Sequence, residues 1–135
     1  MDGLSHLLDT NVCVELLRGK GARILSRIEV LAPGTVAVSA VSLGELAFGA
    51  TLADRQSEAA RVAELLADLQ VIPFDGAVAW EYGTLRGELT KRGTPIGGLD
   101  MMIAATARFH RLTLVTHNQR EFGRVPGLRL EDWQG

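Results

Sequence analysis

"LDMMIAATARFHRLTLVT", residues Leu99–Thr116, joins two periodicities with almost no chain between them. Leu99 to His110 is rich in alanine and methionine, both strong helix formers, and reads as a helix. Leu112 to Val115 follows at once as an apolar run short enough for a strand. A helix feeding directly into a strand is the repeating unit of α/β folds. Working outward, further short apolar runs stand at Leu4–Leu8, Val36–Val38 and Val71–Pro73, with a weaker one at Leu128–Leu130. Stretches of helical spacing separate them. Val62, Leu65, Leu66 and Leu69 make one apolar stripe at i, i+3, i+4, i+7, and Val78, Tyr82, Leu85 and Leu89 make another. Pro33-Gly34, Pro73 and Gly93 to Gly98 punctuate the pattern as turns. The prediction is an α/β fold with a parallel sheet covered on both faces.

The 135 residues suit one domain, 1–135, with room for a real core. Hydrophobic residues at 47% and charged residues at 22% are ordinary for a globular protein. No apolar run approaches the roughly 20 residues that span a bilayer, and a signal peptide's basic start is missing, so no membrane partner is expected. Cys13 is the single cysteine, which precludes an internal disulfide and suits a cytoplasmic location. The net charge of −2 offers no global attraction for nucleic acid, but the distribution is uneven. Arg18, Lys20, Arg23 and Arg27 stand together without an acid, and Arg108 to Arg129 holds five arginines against Glu121 alone. Asp54 to Asp68 is predominantly acidic. A basic face beside an acidic site would suit an enzyme that grips phosphates, and scattered solvated charge is the plain alternative.

In open parallel sheets function gathers at the carboxyl ends of strands. Asp9 ends the first run, in "LLDTNV". Glu45 lies on the helix after the second run, among Leu43, Leu46 and Ala47. Asp100 opens the helix quoted above, behind a glycine-rich turn, and "LVTHNQREF" places Thr116, Asn118 and Glu121 just past the strand. Each has an everyday reading: Asp9 and Asp100 as helix caps, Glu45 and Glu121 as solvated surface. Together they describe acids meeting at one sheet edge. Two carboxylates about 4 Å apart repel by roughly 4 kcal/mol at an effective dielectric near 20, so such a cluster needs protons or a cation. Oxygen donors without a His–Cys cluster select a hard ion, Mg²⁺ or Mn²⁺.

"LLDTNV", "SLGELAFGA", "PIGGLDMMIAATA", "LVTHNQREF" and "LRLEDW" resemble, in order and spacing, the PIN-domain ribonucleases of the VapC toxin type. The match runs from about Leu7 to Trp133. The resemblance implies a three-layer α/β/α sandwich, a homodimer and a Mg²⁺- or Mn²⁺-dependent endoribonuclease. It also implies neutralisation by a VapB-type antitoxin, through which alone operator DNA would be reached. Asp9, Glu45 and Asp100 match the family's acidic triad, while Glu121 stands where many members carry Asp. Thr116 and Asn118 match the polar pair beside it. On this reading Asp9 and Asp100 bind metal directly. Glu45 and Glu121 act through water, hold a second ion or orient the attacking water. Thr10 and Asn11 are expected to buttress Asp9 by hydrogen bonds. The resemblance implies structured RNAs, tRNA among them, as the substrate class, and the residues do not say which RNA is cut.

Other chemistries fit less well. An aspartyl-phosphate phosphotransferase or phosphatase also puts Asp at a strand end, but the dehalogenase-type Asp-x-Asp is broken by Asn11, and neither Lys20 nor Lys91 follows a late strand as a receiver domain requires. Cys13 reads as a buried thiol, and His6, His110 and His117 have no metal-ligand spacing. A catalytically silent chain, its acids filled by an antitoxin arginine in an operator-bound complex, is the non-enzyme alternative.

Overall fold

Leu7 and Leu8 are successive residues of one strand, point to opposite sides and are both fully buried, which only a sheet covered on both faces allows. A computed structural model describes residues 3–53 and 55–134 and shows that sheet. Among these residues the elements run β1 (His6–Leu8), α1 (Thr10–Leu17), α2 (Ala22–Glu29), β2 (Val36–Ser39), α3 (Ala40–Leu52) and α4 (Arg55–Leu66). β3 (Gln70–Ile72), α5 (Gly76–Arg92), α6 (Gly98–His110), β4 (Thr113–Val115), α7 (Gln119–Phe122) and β5 (Leu130–Glu131) follow. The strands lie in the order β3-β2-β1-β4-β5. All neighbours are parallel, Leu7 standing beside Ala37 and Leu114, and Leu8 beside Val38 and Val115.

That register sorts the core into two layers. Leu7, Ala37, Ile72 and Leu114 face α5 and α6, where Leu85, Leu89, Ile103 and Ala104 complete one cluster. Leu8, Val36, Val38 and Val115 face the other way, against Val12, Cys13, Ile24 and Val62 from α1, α2 and α4. The result is the three-layer sandwich. Small residues let α6 lie close: Ala104, Ala105 and Ala107 are all fully buried. Arg111, in the left-handed region at φ 57°, ends α6, and the Leu112 N–H returns to the Ala107 carbonyl. This compact stop explains how helix and strand abut in the sequence.

Strand limits differ from the apolar runs where backbone groups have other partners. Ser5 donates its N–H to the Thr35 carbonyl, and β1 begins one residue later. Leu112 belongs to the α6 stop, and β5 is shifted to Leu130–Glu131. Pro73, which has no N–H to donate, lies outside β3. α4 ends at Leu66, so Leu69 packs on the second cluster from beyond the helix.

The chain builds β1, β2 and β3 to one side, then crosses to place β4 on the other flank of β1. Strand order reverses between β1 and β4, and the crevice beyond their carboxyl ends is where such sheets hold ligands.

Candidate active site

Asp9 and Thr116 are the first residues past β1 and β4, so the switch point brings them together. The Asp9 N–H extends the ladder to the Val115 carbonyl (2.9 Å), and the Thr116 hydroxyl donates to Asp9 Oδ2 (2.8 Å). Asp9 also caps α1, accepting the Thr10 N–H on Oδ1 at 2.7 Å. Cap and site residue are thus one side chain. Only 3% exposed, Asp9 has its pKa raised. Burial is the main cause, opposed by the bonds from Thr116 and Thr10; nearby Glu45 raises it further and His117 lowers it.

Thr10 buttresses Asp9 as expected, through its backbone N–H. Its hydroxyl lies 2.8 Å from both Glu45 Oε1 and Ser42 Oγ. A carboxylate only accepts, so the Thr10 proton goes to Glu45 and Ser42 donates to the Thr10 oxygen. Asn11 is exposed and takes no part in holding Asp9 through the bonds described. The second support is Thr116. Ser42, one helical turn before Glu45 on α3, is a further positioning residue; its i, i+3 relation to Glu45 was the available sequence signal.

Asp100 is the third residue of α6, whose N-cap is Gly97, so it does not cap the helix. Half-buried, its carboxyl is pushed up to about 6, first by burial and then by the charges of Asp9, Glu121 and Glu45. Glu121 accepts the Gly97 N–H on Oε1 (2.8 Å) and the Asn118 amide on Oε2 (3.3 Å). These bonds, led by that from Gly97, hold its pKa below the usual range. Gly97 lies between the two acids: a Cβ there would stand 3.6 Å from Asp100 Oδ2 and 3.7 Å from Glu121 Oε1. Asn118 caps α7 by accepting the Glu121 N–H (3.3 Å), and its own N–H donates to Thr116 Oγ1 (3.0 Å).

The four acids therefore feel one another across one crevice. Among the described residues no three His, Cys, Asp or Glu side chains form a self-contained metal shell. This donor set fits a hard cation of the Mg²⁺ type, which takes one or two carboxylates and completes its shell with water and substrate phosphate. Charge points the same way, since burial and neighbouring acids hold the Asp100 proton to about 6.

Outside the crevice the plain readings prevail for several groups. Cys13 is buried, its thiol pushed up to about 12 by burial first and Asp9 second, which makes it inert. Arg108 binds Glu81 (2.5 Å) and Glu88 (2.9 Å), tying α6 to α5. Arg124 and Arg129 donate to the carbonyls of Pro95 and Arg111. Arg18, Lys20, Arg23, Lys91 and Arg92 are exposed, and Arg18 rims the hollow beside Asp9. Asp54 lies outside the described residues.

A PIN-domain family model matches residues 6–128. The tRNA(fMet)-specific endonuclease VapC of Shigella flexneri is 40% identical over 131 residues, covering 96% of this chain and 98% of that protein. Among solved structures, the DNA-bound VapBC of Salmonella typhimurium matches with a TM-score of 0.91 at 37% identity, covering 96% of this chain and 98% of the other. VapBC2 of Rickettsia felis, bound to a promoter DNA fragment, matches with a TM-score of 0.90 at 34% identity, covering 96% and 99%. By sequence and fold, the chain belongs to the PIN-domain family, among the VapC proteins.

Proposed function

We propose that the chain is a Mg²⁺- or Mn²⁺-dependent endoribonuclease, the toxin of a type II toxin–antitoxin pair, with Asp9, Glu45, Asp100 and Glu121 as its site residues. The observation that carries this reading is the meeting of Asp9, Glu45, Asp100 and Glu121 at the β1/β4 switch point, close enough for the other three charges to bear on the Asp100 carboxyl. Asp9 and Asp100 supply the direct oxygen ligands, and Glu45 and Glu121, held by Thr10 and Gly97, bind through water or orient the attacking water. When bound, the cation supplies Lewis-acid polarisation of the scissile phosphate and stabilises the departing oxygen. Thr116 orients Asp9 and favours its charged form against the effect of burial. An aspartyl nucleophile is disfavoured, because neither Lys20 nor Lys91 follows β4 as a phosphoryl-accepting receiver domain requires, and Asn11 breaks the Asp-x-Asp pattern of the dehalogenase type.

Structured RNA, and tRNA first, is the substrate to test, since the Shigella flexneri relative carries that specificity in its name. A VapB-type antitoxin is the proposed partner. The relatives crystallised as VapBC assemblies support it, as does a groove of about 440 Å³ whose leucines, Leu16, Leu17, Leu25, Leu65 and Leu69, are edged by Arg61, Glu64 and Asp68. Operator DNA would be reached through that antitoxin. Exposed Phe48 and Leu52 on α3 and Trp80 on α5 offer apolar surface for a homodimer. No helix of the described residues is long and apolar enough to cross a membrane, and we place the protein in the cytoplasm with its RNA.

The test is incubation of the free protein with total tRNA and sequencing of the new ends. Cleavage that requires Mg²⁺ or Mn²⁺, stops with a chelator and disappears in Asp9→Asn is the expected result. An active Asp9→Asn protein, or cleavage indifferent to chelation, overturns the assignment, and an inert free protein leaves the antitoxin-partner role as the surviving function.

A further inference from the structure

The loop between β4 and α7 carries a side chain that the acid cluster does not use. His117 stands between Thr116, which donates to Asp9, and Asn118, which holds Glu121. Its ring reaches elsewhere. Nε2 lies 3.0 Å from Glu15 Oε2 on α1, and Nδ1 lies 2.8 Å from Asp132 Oδ1 beyond β5. Carboxylates only accept, so both ring nitrogens donate and the ring is an imidazolium. Burial alone would lower its pKa, but the bonds to Asp132 and Glu15 outweigh burial and hold it above the usual range. α1, the β4–α7 loop and the C-terminal segment are thereby tied at one point. That point rims a hollow of about 400 Å³ that Asp9, Asn11, Arg18 and Asn118 also line.

Both ion pairs are partly exposed, the side chains retaining 25% to 37% of their accessible surface, so each adds little to global stability. Position is another matter. Thr116 is fully buried and hydrogen-bonded on both sides of its hydroxyl, to Asp9 and Asn118, so a small shift of the loop reaches Asp9 directly. Supports of this kind control ligand orientation at cost to metal affinity rather than to folding when lost.

We propose that His117, clamped between Glu15 and Asp132, is a positioning residue that sets how Thr116 presents its hydroxyl to Asp9 and so how tightly the Asp9–Asp100 pair takes a divalent cation. This rests on the nuclease reading for its activity, and on the acid site alone for its cation affinity.

The test compares His117→Leu, Glu15→Leu, the double variant and Glu15→Gln, which keeps an acceptor for Nε2–H. Mn²⁺ affinity is read by calorimetry, folding by metal-free melting, and catalysis by kcat and KM on RNA. His117→Leu and Glu15→Leu should each weaken Mn²⁺ about tenfold. The double variant should be no weaker than either single one, and Glu15→Gln should recover most of the affinity. Metal-free melting should move by less than about 4 °C. kcat should fall while KM stays put. Unchanged Mn²⁺ affinity in His117→Leu, additive losses in the double variant, or Glu15→Gln as damaged as Glu15→Leu would each overturn the clamp. Should His117→Leu fail to fold, the two Glu15 variants decide alone. A wild type that binds Mn²⁺ but cuts no RNA defeats the nuclease reading while the affinities still judge the clamp. A wild type that binds no Mn²⁺ defeats both.

Discussion

At the scale of single residues, the acids work against one another until something neutralises them. Asp100 holds its proton to about 6 in the folded chain, against an ordinary 3.8. The native state therefore binds more protons than the unfolded state between those values, and stability falls as pH rises through that window. Asp100→Asn removes the penalty. Because the residue is only half-buried, solvent screening leaves about 1 kcal/mol, worth about 4 °C in melting temperature at pH 7.5 without metal. The difference from wild type should vanish near pH 4; a variant that melts lower than wild type at pH 7.5 contradicts the clustering. The same substitution, like Asp9→Asn, should cut RNA cleavage by more than about a hundredfold, the upper end of what losing a supporting partner costs. Stabilisation together with inactivity is the signature of a functional acid, where a structural one would lose both.

At the scale of elements, the site depends on where each helix starts. Ser39 caps α3 by accepting the Ser42 N–H (3.1 Å), and α3 carries both Ser42 and Glu45. Ser39→Ala should cost about 1 kcal/mol in urea denaturation and lower cleavage by loosening the Thr10–Glu45 bond. Leu85 on α5 is fully buried in the cluster under the sheet, far in role from the crevice. Leu85→Ala should cost about 3 kcal/mol by the cavity it leaves, with metal affinity of the folded fraction unchanged. The elements themselves were legible because apolar spacing is local: the stripe from Val78 to Leu89 predicted α5, and "LTLVT" predicted β4. Their ends were less so. Leu112 reads as strand by composition, yet its N–H completes the α6 stop, a matter of backbone hydrogen bonding that hydropathy does not encode.

For the whole molecule, cation binding and folding are one equilibrium. An ion that binds only the folded state adds about 2.7 kcal/mol at a hundred times its dissociation constant, or about 10 °C here. Saturating Mn²⁺ should raise the melting temperature of the wild type by that order and leave Asp9→Asn unmoved. A wild-type melt indifferent to Mn²⁺, with calorimetry also silent, removes the metal from the mechanism. The global topology makes the response possible, since Asp9 at the end of β1 meets residues of α3, α6 and α7 only when the sheet is complete.

The order of residues alone determined the α/β class, the buried strands and which acids were candidates, because each leaves a mark within a few positions: an apolar run, a helical stripe, Asp9 where a run stops, and motifs around Glu45, Asp100 and Glu121 that resemble a known family. Tertiary structure decided what those acids rest on. The Thr116 hydroxyl, 107 positions from Asp9, supports it where Asn11, two positions on, does not, and Glu121 leans on the Gly97 N–H, 24 positions away. His117, unremarkable by spacing, finds Glu15 at a separation of 102. Such pairings are set by the order in which strands join the sheet, which brings the ends of β1 and β4 side by side, and no local pattern along the chain records that adjacency.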